Sequence, residues 1–230
     1  MTLSEVSART GMTRAGARRY LLTLLHLGYV EQSGRLFQLT PKILELGYAF
    51  MSTLPLADLA QPYLDRFTEE SGETSAIAIL DRHDVVHLAC ATPERQLKPV
   101  ITIGRRFNAL YNSTGRVLIA CNDDQTIERY LTEIPLAKLT RWSISSKIKL
   151  REELRRIRVQ EYAVVDQESE EGLRSLAVPI LNRSARPVAA INTITNAATV
   201  SEADLVRKLL PALRATAKEL SAALGACSTV

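Results

Sequence analysis

The first forty residues constrain this chain most, because their helix-start and helix-stop signals lie too close together for anything but two short helices joined by a tight turn. Thr2-Leu3-Ser4-Glu5 has the form of a capping box, in which the Thr hydroxyl and the Glu carboxylate satisfy backbone donors of the first turn. It predicts a helix running to about Thr10. Gly11 supplies the backbone freedom for a turn, and Thr13 caps a second helix ending near Gly28. On that helix Ala17, Leu21, Leu24, Leu25 and Gly28 share an inward face, while Arg14 and Arg18 lie one turn apart on another, joined by Arg19. Residues 29–32 and 35–39 flank Ser33-Gly34 and read as two strands around a tight turn. A hairpin directly after a helix-turn-helix is a wing.

Charge gives this segment a purpose. The 230 residues carry 29 Lys and Arg against 25 Asp and Glu, a net +4. Within residues 1–39 Arg9, Arg14, Arg18, Arg19 and Arg35 face only Glu5 and Glu31, five against two, so +3 of that excess is local. A helix so presented can enter the major groove of double-stranded DNA. Thr13, Arg14, Ala17, Arg18 and Arg19 are then the candidate contacts, with Arg35 on the wing near the backbone.

Thr40-Pro41 starts a further helix with a broad apolar stripe, Ile43, Leu44, Leu46, Gly47, Phe50 and Met51, which wants a partner; Leu54-Pro55 ends it. The division expected is a winged helix-turn-helix over 1–40, a linker helix over 41–53 and a second domain over 54–230. In that domain residues 56–71 read as an amphipathic helix closed by Gly72, and strands are expected at 75–80, 85–89 and 100–103. Helices follow at 113–122, 124–133 and 150–160, strands at 162–165, 176–180 and 188–193, and a closing helix at 201–224. Antiparallel sheet with helices around it makes the fold class α+β.

Composition excludes several classes. With 46% hydrophobic and 23% charged residues and a mean hydropathy of −0.01, the chain is neither disordered nor collagenous. No apolar run approaches the roughly 20 residues of a membrane helix, and no signal peptide is evident, so no membrane partner is expected and the cytoplasm is the default. Cys90, Cys121 and Cys227 form neither a disulfide framework nor a zinc set. His83 and His87 are not on one helix face and lack a completing ligand, so they read as solvated residues; Cys90 and Cys121 read as buried packing. The basic run 151–158 is interrupted by Glu152 and Glu153 and reads as a solvated face. No metal site, catalytic residue or cofactor is expected.

The joint order of several motifs resembles the IclR family of bacterial transcriptional regulators over nearly the whole chain. They are residues 3–11, 14–25, 27–30 and 37–41 in the first half, Leu44-Glu-Leu-Gly47, and then 104–116 ending in Ser113-Thr-Gly-Arg116, Asp166-Gln-Glu168, 171–180 and 187–192. Residues 44–48 and Glu170-Glu-Gly-Leu-Arg174 look most like the subgroup that regulates aromatic-acid breakdown through the protocatechuate and β-ketoadipate route. The resemblance implies a GAF-like effector-binding domain, a homodimer formed through the DNA-binding half and often a dimer of dimers, acting on a palindromic operator. It also implies a helix before residue 1, so the winged-helix half is expected to lack its first helix. Asn108, Tyr111, Asn112 and Ile194 replace the family's usual pocket residues.

Within such a domain Tyr111, Asn112, Ser113, Thr114 and Gly115 would present hydroxyls and helix N–H groups to a small organic acid effector. Ser175, Ala177, Asn192 and Thr193 would complete a wall of polar anchors in an otherwise apolar pocket. Asp166, Glu168 and Arg174 belong to the same candidate set, Arg174 pairing either with the ligand or with Glu170 or Glu171. The expected function is a ligand-responsive, sequence-specific DNA-binding regulator of a catabolic operon, sensing a small aromatic or short carboxylic acid. The competing readings are an effector-binding dimer that has lost DNA binding, and a small-molecule enzyme with a vestigial N-terminal segment.

Overall fold

The computed structural model describes residues 1–52, 56–94 and 101–227, and the chain divides into two compact units, Met1–Pro55 and Leu56–Val230. In the first, helix α1 (Leu3–Thr10) starts at the expected capping box, with Thr2 and Glu5 each closing on the other's backbone, and ends at Gly11 with φ 69°. That left-handed turn is open to glycine without strain. Helix α2 (Arg14–His26) follows at once, its N-cap Thr13 accepting from the Gly16 amide. Strands β1 (Val30–Ser33) and β2 (Leu36–Leu39) pair antiparallel. Thr2 bridges to Leu36 on the outer edge of β2, the Met1 amine donating to the Phe37 carbonyl at 2.8 Å. Ala17, Leu21 and Val30 form the small core. Helix α3 (Ile43–Ser52) leaves Leu44 and Tyr48 72% and 77% exposed.

The second unit is a six-stranded, wholly antiparallel sheet in the order β5-β4-β3-β8-β7-β6. Its strands are β3 (Thr74–Asp81), β4 (Asp84–Ala91), β5 (Arg106–Asn108), β6 (Ala163–Asp166), β7 (Leu173–Leu181) and β8 (Pro187–Asn196). Helix α4 (Leu56–Ser71) and the closing helix α9 (Leu210–Cys227) pack on one face. On the other lies α5 (Ser113–Ala120), with α6 (Asp124–Glu133) and α7 (Lys147–Gln160) around it. Every residue of α5 is buried, and its apolar side chains meet Leu150, Leu154 and Ile157 of α7 and Ala78, Ala177 and Ala190 of the sheet.

Two elements differ from expectation. Residues 101–103 are not a strand; the third strand is β5, held to the β3–β4 hairpin by Arg106, which bridges Asp81 at 2.7 Å and Asp84 at 3.0 Å. Val100 lies outside the described residues, as does the helix break at Leu54-Pro55. The closing helix begins as a single turn, α8 (Glu202–Asp204), widens into a π turn over Leu205–Leu209 and only then becomes α9. Pro211 has no N–H to donate and its ring would crowd the preceding turn, and the wider turn relieves both.

Candidate functional site

The basic face of α2 is built as expected. Thr13, Arg14, Arg18, Arg19 and Arg35 are exposed, and none of these four arginines forms an ion pair among the described residues. Arg18 and Arg19 share a shallow hollow with Ala15, Leu22, Thr23 and His26. Ala17 is a correction: it is 1% exposed, on the opposite, inward side of α2, where no nucleic acid can reach it.

The second unit holds a cavity of about 230 Å³ between the sheet and the start of α5. Its polar lining comes from His87 on β4, Asn108 at the end of β5, Ser175 on β7, Asn192 on β8, Tyr111 on the single 3-10 turn before α5, and Arg105, Asn112, Ser169 and Glu170 from the loops; Phe107, Ile101, Leu139, Leu173 and Ile194 supply the apolar surface. Ala78 of β3 faces His87 on β4, and Ala76 faces Asn192 on β8.

His87 is 1% exposed and Asn192 1%, and neither ring nitrogen of the one nor either amide atom of the other has a hydrogen-bond partner. Burying such groups unpaired costs about 1–3 kcal/mol each, and unpaired groups that line a cavity are disposed to meet a guest. Burial pushes the His87 imidazole down to about 4, so it is neutral at physiological pH. Phe107 meets it edge-on at 5.4 Å, and the exposed Arg105 guanidinium sits 4.9 Å from the same ring. The wall therefore runs from a cation at the rim, across an aromatic face, to neutral polar groups in the interior.

Several expected effector contacts have other work. Glu168 takes a bidentate pair from the fully buried Arg116, at 2.6 and 2.7 Å, and accepts from the Ile144 amide at 2.8 Å. Arg174 is spanned by Asp166, two oxygens at 2.9 Å, and donates to the Val200 carbonyl, so it pairs with neither Glu170 nor Glu171. Gly115 is required by packing, since a Cβ there would lie 2.2 Å from the Ala109 carbonyl oxygen. Thr193 points to the opposite face of the sheet from Asn192, where its hydroxyl donates to the Thr74 carbonyl. Ala177 packs beneath α5. The helix cap is Asn112, accepting from the Thr114 amide and hydroxyl at 3.0 and 2.6 Å, which engages Thr114 locally. Ser113 is buried with an unpartnered hydroxyl. Tyr111 lines the cavity while its hydroxyl accepts from the Ala137 amide at 2.7 Å.

His87 was hidden by its neighbour: His83, four residues away, is a surface residue paired with Glu133 at 2.8 Å, whereas His87 is interior. Alternation along β4 was the available signal. Cys121 is exposed rather than buried, and Cys90 is half-buried; neither thiol is activated, since the surrounding protein partly desolvates each sulfur and raises the thiol, with Glu161 adding to the effect at Cys121. The basic face of α7 is engaged in surface pairs, Arg151 with Glu128 and Arg158 with Asp124. Among the described residues no group of His, Cys, Asp and Glu is placed to hold a metal ion, and no helix is long and apolar enough to cross a membrane.

Two family models account for the chain, the IclR helix-turn-helix domain over residues 1–34 and the bacterial transcriptional regulator IclR C-terminal domain over residues 48–222. The chain belongs to the IclR family. It is 39% identical over 221 residues to the Pca regulon regulatory protein of Pseudomonas putida, covering 96% of this chain and 76% of that protein. A transcriptional regulator from Rhodococcus sp. RHA1 has a crystal structure with a TM-score of 0.82 at 42% identity, over 98% of this chain and 91% of that one. The inducer-binding domain of a PobR double mutant from Acinetobacter, solved with 3-hydroxybenzoic acid, matches with a TM-score of 0.68 at 30% identity, over 71% of this chain and 96% of that one. This IclR-family protein is thus a ligand-responsive, DNA-binding transcriptional regulator rather than an enzyme, with an α+β effector-binding half.

Proposed function

We propose that this regulator controls a catabolic operon in the cytoplasm by binding a small carboxylic acid, aromatic in class, in the cavity beneath α5. The observation that carries the reading is the cavity wall itself, with Arg105 at the rim for a carboxylate, Phe107 for a flat ring and the unpartnered His87 and Asn192 inside. A volume of about 230 Å³ falls below the roughly 300–1,000 Å³ of drug-sized sites, which suits a compound of one ring. The name of the Pseudomonas relative and the ligand of the Acinetobacter domain support the same class.

Residues 1–40 are the DNA-binding domain in this reading, 41–53 the linker and 54–230 the effector domain. Thr13, Arg14, Arg18 and Arg19 meet the major groove, and Arg35 a phosphate beside the wing. Leu44, Leu46, Tyr48 and Phe50 of α3 are more than half exposed. A second copy of the chain covers them, giving a homodimer, or a dimer of dimers, on a palindromic operator. The effector acts by binding the two dimer arrangements with different affinity. Gel shifts on the DNA upstream of the neighbouring genes test the reading: a salt-sensitive specific shift altered by an aromatic acid is expected, and a shift unmoved by any acid that the cavity binds would refute it.

A further inference from the structure

We infer that the reading face of α2 is apolar at its middle and recognises the C5-methyl group of thymine through Leu22, so that each operator half-site carries a thymine within the few base pairs that this helix covers. The inference rests on the DNA-binding role of α2 and specifies what that helix reads in the groove. Ala17 and Leu21 turn into the small core, which leaves the opposite side of the helix as the one offered to a partner. Ala15, Arg18, Arg19 and Leu22 stand on that outer side, all exposed and lining one hollow together with Thr23 and His26. Their spacing, i, i+3, i+4 and i+7, is that of a single stripe along a helix, the arrangement by which a helix follows a groove. From Ala15 to Leu22 the stripe climbs about 10 Å, the length of roughly three base pairs.

Within the stripe the residue types divide the work. Arg18 and Arg19 supply the positive charge that draws an anionic duplex, and their length suits phosphates and guanine edges. Leu22 is 38% exposed and, like Ala15, has no side-chain group to donate or accept. What it can meet in the major groove is the thymine methyl, the apolar group that a base pair displays there. Thr23 is not a rival reader, since its hydroxyl donates to the Arg19 carbonyl one turn back at 3.1 Å. Tyr20, Leu24 and Leu27 are also exposed, yet they lie round the helix from Leu22, in a second stripe with spacing i, i+4 and i+7, and take no part in the hollow that holds the arginines.

The test uses the full chain: bound duplexes are selected from a randomised pool, and in the selected site each thymine is replaced in turn by deoxyuridine, which keeps the base pair and removes the methyl. At one thymine or two in each half-site the affinity should fall at least about threefold, the equivalent of one methyl group taken from an apolar contact. Leu22→Ala should abolish that difference, binding the thymine and deoxyuridine sites alike to within about 1.5-fold and matching the parent chain on the deoxyuridine site. It should leave the salt slope unchanged, because no phosphate contact is lost. Leu22→Met, which keeps the apolar reach, should retain most of the preference. A site in which no thymine responds to loss of its methyl overturns the inference, as does a thymine whose response is the same in the parent chain and in Leu22→Ala. So does a Leu22→Ala loss of equal size on both DNAs, the mark of a merely structural role. Selection that enriches no sequence at all is a different outcome, in which the DNA-reading role of α2 falls and this inference with it.

Discussion

Replacing Glu168 by Gln removes one charge from the most deeply buried ion pair among the described residues of the effector domain while nearly conserving volume. Arg116 and Glu168 are 1% and 8% exposed in their side chains, and their two hydrogen bonds at 2.6 and 2.7 Å are the short, charge-assisted, bidentate kind. The same carboxylate accepts from the Ile144 amide, and Arg116 Nε donates to the Leu110 carbonyl at 2.6 Å. Removing one partner of a buried pair strands the other charge, at a cost of about 3–5 kcal/mol, and a neutral side-chain amide, with one acceptor oxygen, cannot serve Arg116 and Ile144 as the carboxylate does. Arg116→Met in the Glu168→Gln background removes the stranded charge and leaves chiefly the Leu110 carbonyl short of a donor, so the double variant should lose only about 1–3 kcal/mol. Urea unfolding at neutral pH, followed by the fluorescence of Trp142, the chain's one tryptophan, measures both. A Glu168→Gln loss below about 1 kcal/mol, or a double variant less stable than the single, would refute the reasoning.

Other substitutions probe other parts. Gly115→Ala places a Cβ 2.2 Å from the Ala109 carbonyl oxygen, and thermal melts should show a loss of roughly 3 kcal/mol or more, since the atoms it meets are backbone and not the end of a flexible side chain. His87 titrates near 4 in the fold against 6.5 in the unfolded chain, so between those values the unfolded state binds the extra proton. Stability should therefore fall by up to about 3 kcal/mol as pH drops from 6.5 to 4 and level off below. His87→Gln should remove that component of the pH profile, and an unchanged profile contradicts the burial argument. Arg14→Ala and Arg18→Ala should each weaken operator binding and reduce the magnitude of its salt slope by about 1, with effector affinity by calorimetry unaltered.

Local signals made the DNA-binding half readable because its elements are set by neighbours in sequence: Thr2 with Glu5, the turn at Gly11, and Thr13 with Gly16 are all contacts within a few residues. In the effector half the helices starting at 113 and 124 were legible for the same reason, whereas the third, expected from 150, starts at Lys147 behind its cap Ser146. What escaped depends on register and on distant partners. The Asp166–Arg174 pair becomes visible only once those two residues are known to face each other across β6 and β7. Glu168 meets Arg116 from 52 residues away. The β-branched run ending at Ile103 suggested a strand, but the edge strand lies three residues later, where Arg106 can reach two aspartates of a hairpin. Naming both Asn192 and Thr193 as one wall overlooked strand alternation, which allows a single one of them on the cavity side. Ala17, similarly, could not serve both the core and the DNA.

The central claim is that effector and operator are linked through one protein, and linkage is reciprocal. The measurement that tests it most directly is a pair of titrations on the full chain: operator affinity with and without saturating 4-hydroxybenzoate, and 4-hydroxybenzoate affinity with and without operator. The account predicts the same factor from both, typically about 5–150-fold for a coupling of 1–3 kcal/mol. Tight binding of both ligands with a factor of one in each titration would contradict it.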